Sequence, residues 1–363
     1  MPWGCYNPRD LPLYPPANFE NEAKMSAPFS YLIASLMLLA LATGGGRFPT
    51  PPSHGILVVA NQKEHTALLV DPETRQELAK ITVGVNGHEV AVSPDSRLAY
   101  VPIYGNSGVG KPGTDGTTID VIDLHERKLA ATIDLGKPLR PHRAEFGPDG
   151  LLYVTAELDK AVDVIDPASR KVIAEIPTGA PESHMVIISP DGHRAYTANV
   201  GAGSVSVLDL QKRALITVIA IAKTVQRISI SPDGKHVFTH DQETPRIAVI
   251  DTATNKVATW ISLPSTVYAS VPTSDGHTLL AASPSGKLFV IDLTTSRITN
   301  SLDIPPATGE LLLRPDGKFA FVSCPQAGVI EVFDVPGNKL LQPIELTPGV
   351  DGLAWAPAIP QSQ

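Results

Sequence analysis

A self-similarity of about 42 residues, carried by two interleaved motifs, limits what this chain can fold into more than any other feature. The first motif is a turn of the S-P-D-G kind: SPDS at Ser93, GPDG at Gly147, SPDG at Ser189 and Ser231, TSDG at Thr273 and RPDG at Arg314. Its aspartates (Asp95, Asp149, Asp191, Asp233, Asp275 and Asp316) lie 54, 42, 42, 42 and 41 residues apart. The second is a β-rich run that closes on an acid, at Asp71, Asp123, Asp166, Asp209, Asp251, Asp292 and Asp334, with gaps of 52, 43, 43, 42, 41 and 42. Seven units follow. Because these acids recur whatever surrounds them, they read as turn formers, Asp capping the turn backbone where Pro and Gly set its dihedrals.

Each unit parses into four strands. In residues 184 to 221, HMVIIS is strand A, the PDG turn reverses the chain, RAYTAN is strand B, SVSVLD strand C and RALITVIAI strand D. Four-stranded units at this period, with no helical pattern between them, predict an all-β fold: a seven-bladed β-propeller of antiparallel blades. The ends carry complementary halves of a blade. The repeats begin on a B-type strand, Ile56 to Asn61, and finish on an extra A-type strand, Gly352 to Pro357. Pairing the C-terminal strand with the N-terminal three would complete the seventh blade and leave no open edge in the ring.

The segments LYVTAE (Leu152 to Glu157) and RAYTAN (Arg194 to Asn199), with the recurrent VID runs, resemble the YVTN-repeat β-propeller family, over residues 55 to 357. That family spans surface-layer proteins, periplasmic binding proteins and relatives of lactonases and of haem or quinone enzymes. The resemblance therefore implies a fold and not a reaction.

The first 54 residues form a separate stretch, so the expected organisation is a signal peptide and leader over 1–54 and the propeller over 55–360. Tyr31 to Ala42 is apolar but too short to span a bilayer, and Ala40 and Ala42 form an A-x-A cleavage pattern ahead of three glycines. This predicts export to the periplasm or medium, with no transmembrane segment in the mature chain. An uncleaved anchor is the alternative, and translation could start at Met1 or Met25. Cys5 would leave with the leader, so Cys324 would stand alone, without an internal disulfide, as a small buried hydrophobe. A formal net charge of -8 gives no electrostatic reason to expect a nucleic-acid partner.

Chemistry is expected on the face shared by the D-to-A and B-to-C loops. The residue seven before each PDG aspartate opens strand A there, and around the ring this position holds His88, His142, His184, Gln226, Tyr268 and Gly309, with Asp351 at the matching place before the last strand. Three histidines in consecutive units, from only ten in 363 residues, depart sharply from composition. They could hold a divalent metal (Zn, Cu or Fe) with an open position, or bind an anion when protonated. Glu157, Asn199 and His240 at the ends of B strands, together with Tyr268, Asp351 and Arg143, are the expected ligand-binding neighbours. Glu89, Arg143 and Arg227 follow the ring position by one, which on strand alternation turns them away from the channel.

The second unit carries twelve extra residues between its B and C strands, within Tyr104 to Thr117, and its glycines predict either a mobile flap over the mouth or a plain solvent loop. Its Gly105-x4-Gly110-Lys111 imitates a phosphate loop, but Pro112 replaces the Ser/Thr and no helix follows, so the match is accidental. The function expected is a ligand- or metal-binding scaffold meeting a small molecule or a protein partner at the histidine face. A lactonase-like hydrolase or lyase using the same face is the alternative, and a pure interaction module a third.

Overall fold

The computed structural model describes residues 54–358, along which the chain forms 29 β-strands. The leader and its cleavage pattern lie outside the described residues. Blade 1 holds β1 (Ile56–Asn61), β2 (Thr66–Asp71) and β3 (Gln76–Thr82); blade 2 holds β4 (Ala91–Val92), β5 (Leu98–Gly105), β6 (Asp115–Asp123) and β7 (Lys128–Asp134). Blade 3 runs from β8 (Pro141–Phe146) through β9 (Leu152–Ala156) and β10 (Ala161–Asp166) to β11 (Lys171–Pro177). In blade 4 the strands are β12 (Ser183–Ile188), β13 (Arg194–Asn199), β14 (Ser204–Asp209) and β15 (Ala214–Ala220). Blade 5 has β16 (Ile228–Ile230), β17 (His236–Asp241), β18 (Arg246–Asp251) and β19 (Lys256–Ser262); blade 6 has β20 (Ala269–Pro272), β21 (Thr278–Ser283), β22 (Lys287–Asp292) and β23 (Arg297–Asp303). Blade 7 comprises β24 (Leu311–Leu313), β25 (Phe319–Cys324), β26 (Val329–Asp334), β27 (Lys339–Leu340) and β28 (Ile344–Glu345), and the chain ends on β29 (Val350–Ala356).

Among the described residues these strands make seven antiparallel sheets, and the order β29-β1-β2-β3 closes the ring as the sequence predicts. Leu57 pairs with Trp355, Val58 with Ala354 and Val59 with Leu353. The second and third strands of a blade are buried on both faces, because neighbouring blades pack face to face, so they read as apolar runs such as the fully buried β1 and β2. Outer strands such as β11 alternate exposed and covered residues, since only one face meets the protein. Each junction between blades is a core of its own. Val58, Leu69, Val101 and Ile122, for example, interleave between blades 1 and 2.

Both repeating acids form turns, as expected. Asp191 accepts the Ser189 hydroxyl at 2.6 Å and the His193 amide at 3.0 Å, and the same pair of bonds recurs at Asp95, Asp233 and Asp275. Asp123 and Asp166, closing their C strands, each accept two successive turn amides. The last turn residue then takes positive φ, at Arg75, Arg127, Arg170, Arg213, Asn255, Ser296 and Asn338. Cys324 is fully buried, and burial, reinforced by Glu331, pushes its thiol up to about 12, so it behaves as an inert apolar residue.

Candidate functional site at the channel mouth

Two layers of side chains fill the channel end where the A strands begin. The upper layer is the histidine ring. His88, His142 and His184 come together as a stack, with centroids 4.6 Å apart between His88 and His142 and 3.5 Å apart between His142 and His184. All three are buried, and Tyr104 sets its ring edge-on to His142 at 5.5 Å. The outer histidines are engaged. His184 Nδ1 meets a Glu157 carboxylate oxygen, while the Tyr104 hydroxyl donates to the other oxygen at 2.7 Å. On the far side, His88 Nε2 lies 3.3 Å from Asp351, which also accepts from the Gln62 amide at 2.8 Å. His88 Nδ1 sits 3.3 Å from the Asn86 side-chain oxygen.

His142, between them, differs. It is 0% exposed, and among the described residues neither ring nitrogen has a hydrogen-bond partner. Burial, with His184 and His88 on either side and the Arg227 and Arg143 cations below, holds its pKa well below the ordinary histidine range. The ring is therefore neutral at physiological pH, one nitrogen carrying a proton and the other a lone pair. Gln226 places its amide nitrogen 3.3 Å from His184 Nε2 and leaves Oε1 buried without a partner.

The lower layer is ionic and corrects the expectation from strand alternation: Glu89, Arg143 and Arg227 do not turn away but converge with Glu310. Arg143 meets Glu89 at 2.9 Å, Glu145 at 3.3 Å and Glu310 at 3.4 Å. Arg227 reaches Glu89 at 2.8 Å, Asp351 at 3.7 Å and, most closely, Glu310. The physical reason is that the A strands do not begin regularly: β8 has a register shift between Pro141 and Ala144, and Glu89, Arg227 and Glu310 stand ahead of β4, β16 and β24, outside the pleat. A bulge interrupts alternation, so consecutive residues can both face the channel. Although burial opposes ionisation, the Arg227 and Arg143 guanidiniums hold Glu89 below the usual carboxylate range. Burial and the neighbouring Glu89 lift Glu310, against the pull of the arginines.

The other expected ligand residues are placed as follows. Glu157 and Asp351 belong to the histidine layer, and Arg143 to the ionic layer. Tyr268, half-buried, lies under the Arg227 guanidinium, 5.1 Å from its ring centre. Asn199 is not free to bind a ligand. Its amide nitrogen donates to Ser204 and Ser206, and its oxygen accepts from Ser183 and Thr197, all within 3.1 Å, which knits blade 4 together. His240 is buried between blades 5 and 6 with Nε2 2.7 Å from Ser270 Oγ, and burial, aided by Arg227, lowers its pKa to about 3. Tyr104 was missed by sequence reasoning, which took it as the start of the inserted loop. As for a metal, among the described residues no group of three or more His, Cys, Asp or Glu side chains is arranged to hold one. The imidazoles pack ring against ring, tilted by 52° and 31°, and His88 and His184 turn nitrogens to carboxylates.

The inserted loop, between β5 and β6, is a clasped arm rather than a mobile flap. Arg140, from the loop entering blade 3, meets Asp115 at 2.5 Å and donates to the carbonyls of Gly108 at 3.0 Å and Lys111 at 2.8 Å. The tip reaches Glu182 before blade 4 at Gly110. Two of its glycines are required by close approach: a Cβ on Gly116 would sit 1.6 Å from the Ile103 carbonyl, and Gly105, at φ +89°, faces the Thr114 carbonyl. The arm thus runs from blade 2 past blade 3 to blade 4, across the sector that holds His142.

No protein-family profile matches the sequence, and no curated protein matches it. Solved structures do. Kuenenia stuttgartiensis hydrazine synthase superposes with a TM-score of 0.66 at 20% identity, over 82% of this chain and 94% of that one. A functionally unknown protein from Desulfotomaculum acetoxidans DSM 771 gives a TM-score of 0.69 at 16% identity, over 83% and 99%. At such identities the likeness shows the propeller fold alone.

Proposed function

We propose that this chain is an exported propeller of the YVTN-repeat type that binds a small polar molecule at the histidine-lined mouth, with His142 as its recognition group. The single observation carrying this reading is that both His142 nitrogens are buried and unpartnered while every other group of that layer is wholly or partly engaged. An unmet buried donor and acceptor cost about 1–3 kcal/mol each, and a ligand presenting one acceptor and one donor removes that cost. The unpartnered Gln226 oxygen, on the far side of His184, supplies a further acceptor.

The test is a thermal-shift panel of small sugars, lactones, amines and carboxylates on the wild type and on His142→Phe, which keeps the ring stack but removes both nitrogens. A compound that raises the wild-type melting temperature and leaves the variant unmoved supports the reading. Hits that raise both alike, or a panel without hits, count against it. The Glu157–His184 pair favours a second reading, an acid–base enzyme at the same mouth. Conversion of a hit by the wild type, abolished in Glu157→Gln with binding retained, separates it from the first. Export rests on the Tyr31 to Ala42 run; N-terminal sequencing of protein recovered from a Gram-negative host should begin after Ala42, and a retained run would refute it.

A further inference from the structure

The junction between blades 7 and 1 is built differently from the one that follows it. At the junction of blades 1 and 2, Arg127, the positive-φ residue of the β6–β7 turn, donates to the Leu78 carbonyl in the outer strand of blade 1. Arg75 holds the same place in the β2–β3 turn, and the repeat sets Leu341 of blade 7 where Leu78 stands in blade 1. The outer strand of blade 7 is broken there. β27 pairs only with Phe333 and Asp334, β28 only with Val329 and Ile330, and Pro343 lies in the gap between them. Leu341 is consequently 38% exposed, and Arg75 forms no hydrogen bond or ion pair among the described residues.

The break opens a groove of about 250 Å³, lined by Phe319, Phe321, Leu341, Arg75, Arg314 and Gln342 among others. Phe321 stacks at 9° on Trp355 of the closing strand, and Arg314 lies 4.4 Å over the Phe319 ring while its Nε and Nη2 donate to Asp316. Phe321 is buried behind the groove, so Phe319 and Leu341 form its reachable wall, and the charge of Arg314 is already neutralised. Glu73, the carboxylate in the lining, is turned to His54 at 3.2 Å. Arg75 is left as a cation without a counter-charge beside an aromatic wall.

We propose that this groove is a second binding site, for an aromatic anion whose ring lies against Phe319 and Leu341 and whose carboxylate or sulfonate meets Arg75. Apolar walls with one placed cation are the usual make-up of such a site, and a guanidinium pairs with either anionic group through two parallel N–H donors. The site is independent of the channel mouth.

A fluorescence titration with 8-anilinonaphthalene-1-sulfonate tests it on the wild type, Arg75→Gln, Leu341→Asp and His142→Phe, each first shown to melt cooperatively. The expected result is saturable binding of one equivalent, displaced by 2-naphthoate and not by 2-naphthol. Arg75→Gln should weaken it about tenfold, Leu341→Asp should weaken it at least as much, and His142→Phe should leave it unchanged. Absence of saturable binding, equal displacement by the uncharged naphthol, or unaltered affinity in both groove variants would overturn the assignment.

Discussion

The two layers of the channel, one residue apart in every blade, have opposite characters. In the lower, Glu89, Arg143, Arg227 and Glu310 compensate one another across the ring, tying blades 2, 3, 5 and 7 together. In the upper, two histidines are anchored to carboxylates so that a third stands between them with nothing bound. A network whose charges answer each other belongs to the architecture. The proposed recognition site rests on that buried group without hydrogen bonds, because it costs stability that a ligand would restore.

The comparison can be broken most forcefully from below. Glu89→Leu should leave Arg143 and Arg227 short of a buried counter-charge and lower the stability to denaturant by about 3–5 kcal/mol. If it unfolds like the wild type, the lower layer is not the structural one. At pH 7, His142→Phe should be at least as stable as the wild type, since it deletes two unmet polar atoms, a gain of about 1–3 kcal/mol each that the larger ring partly offsets.

Acidity sharpens the contrast. His142 has a depressed pKa in the folded state, so below the ordinary value of about 6.5 the unfolded chain takes up a proton that the folded chain refuses. Stability is therefore lost as pH falls below about 6.5, by up to about 1.4 kcal/mol per pH unit for this residue. Between pH 6.5 and 5, His142→Phe should flatten the stability curve by about 2 kcal/mol, leaving the share due to His240 and the opposite share of Asp163 and Glu310, whose carboxyls burial lifts to about 7. Chemical denaturation at the two pH values measures it, and parallel curves for wild type and variant would mean that His142 is already solvated.

The blades, their closure and the histidine ring were legible because each is written at a fixed offset in a 42-residue repeat, where seven copies average out local noise. The ionic layer was not. Strand alternation sends Glu89 and Arg227 outward, but both stand ahead of β4 and β16, where the pleat has not yet begun. A signal was present nonetheless: two acids and two bases, Glu89, Arg143, Arg227 and Glu310, at one repeat position otherwise held by Met185, Ala269 and Gly352. The saturation of Asn199 depends on Ser183, Thr197, Ser204 and Ser206 across three strands, and no spacing rule foretells it. The arm misled for a related reason. Its glycines suggested mobility, whereas Gly116 is there for backbone crossing at Ile103 and the loop is clasped by Arg140, a residue far along the chain.

His142 and His240 are both fully buried and both neutral, but His240 bonds Ser270 whereas His142 bonds nothing, so they form an internal control. Long-range proton–nitrogen NMR of the imidazoles, with His142 assigned from the His142→Phe spectrum, tests the central claim most directly. Both rings should remain neutral from pH 8 to pH 5, and a compound from the thermal-shift panel should move the His142 nitrogens while leaving those of His240 in place. A His142 that titrates near pH 6.5, or that responds no more than His240 to every such compound, would contradict the account.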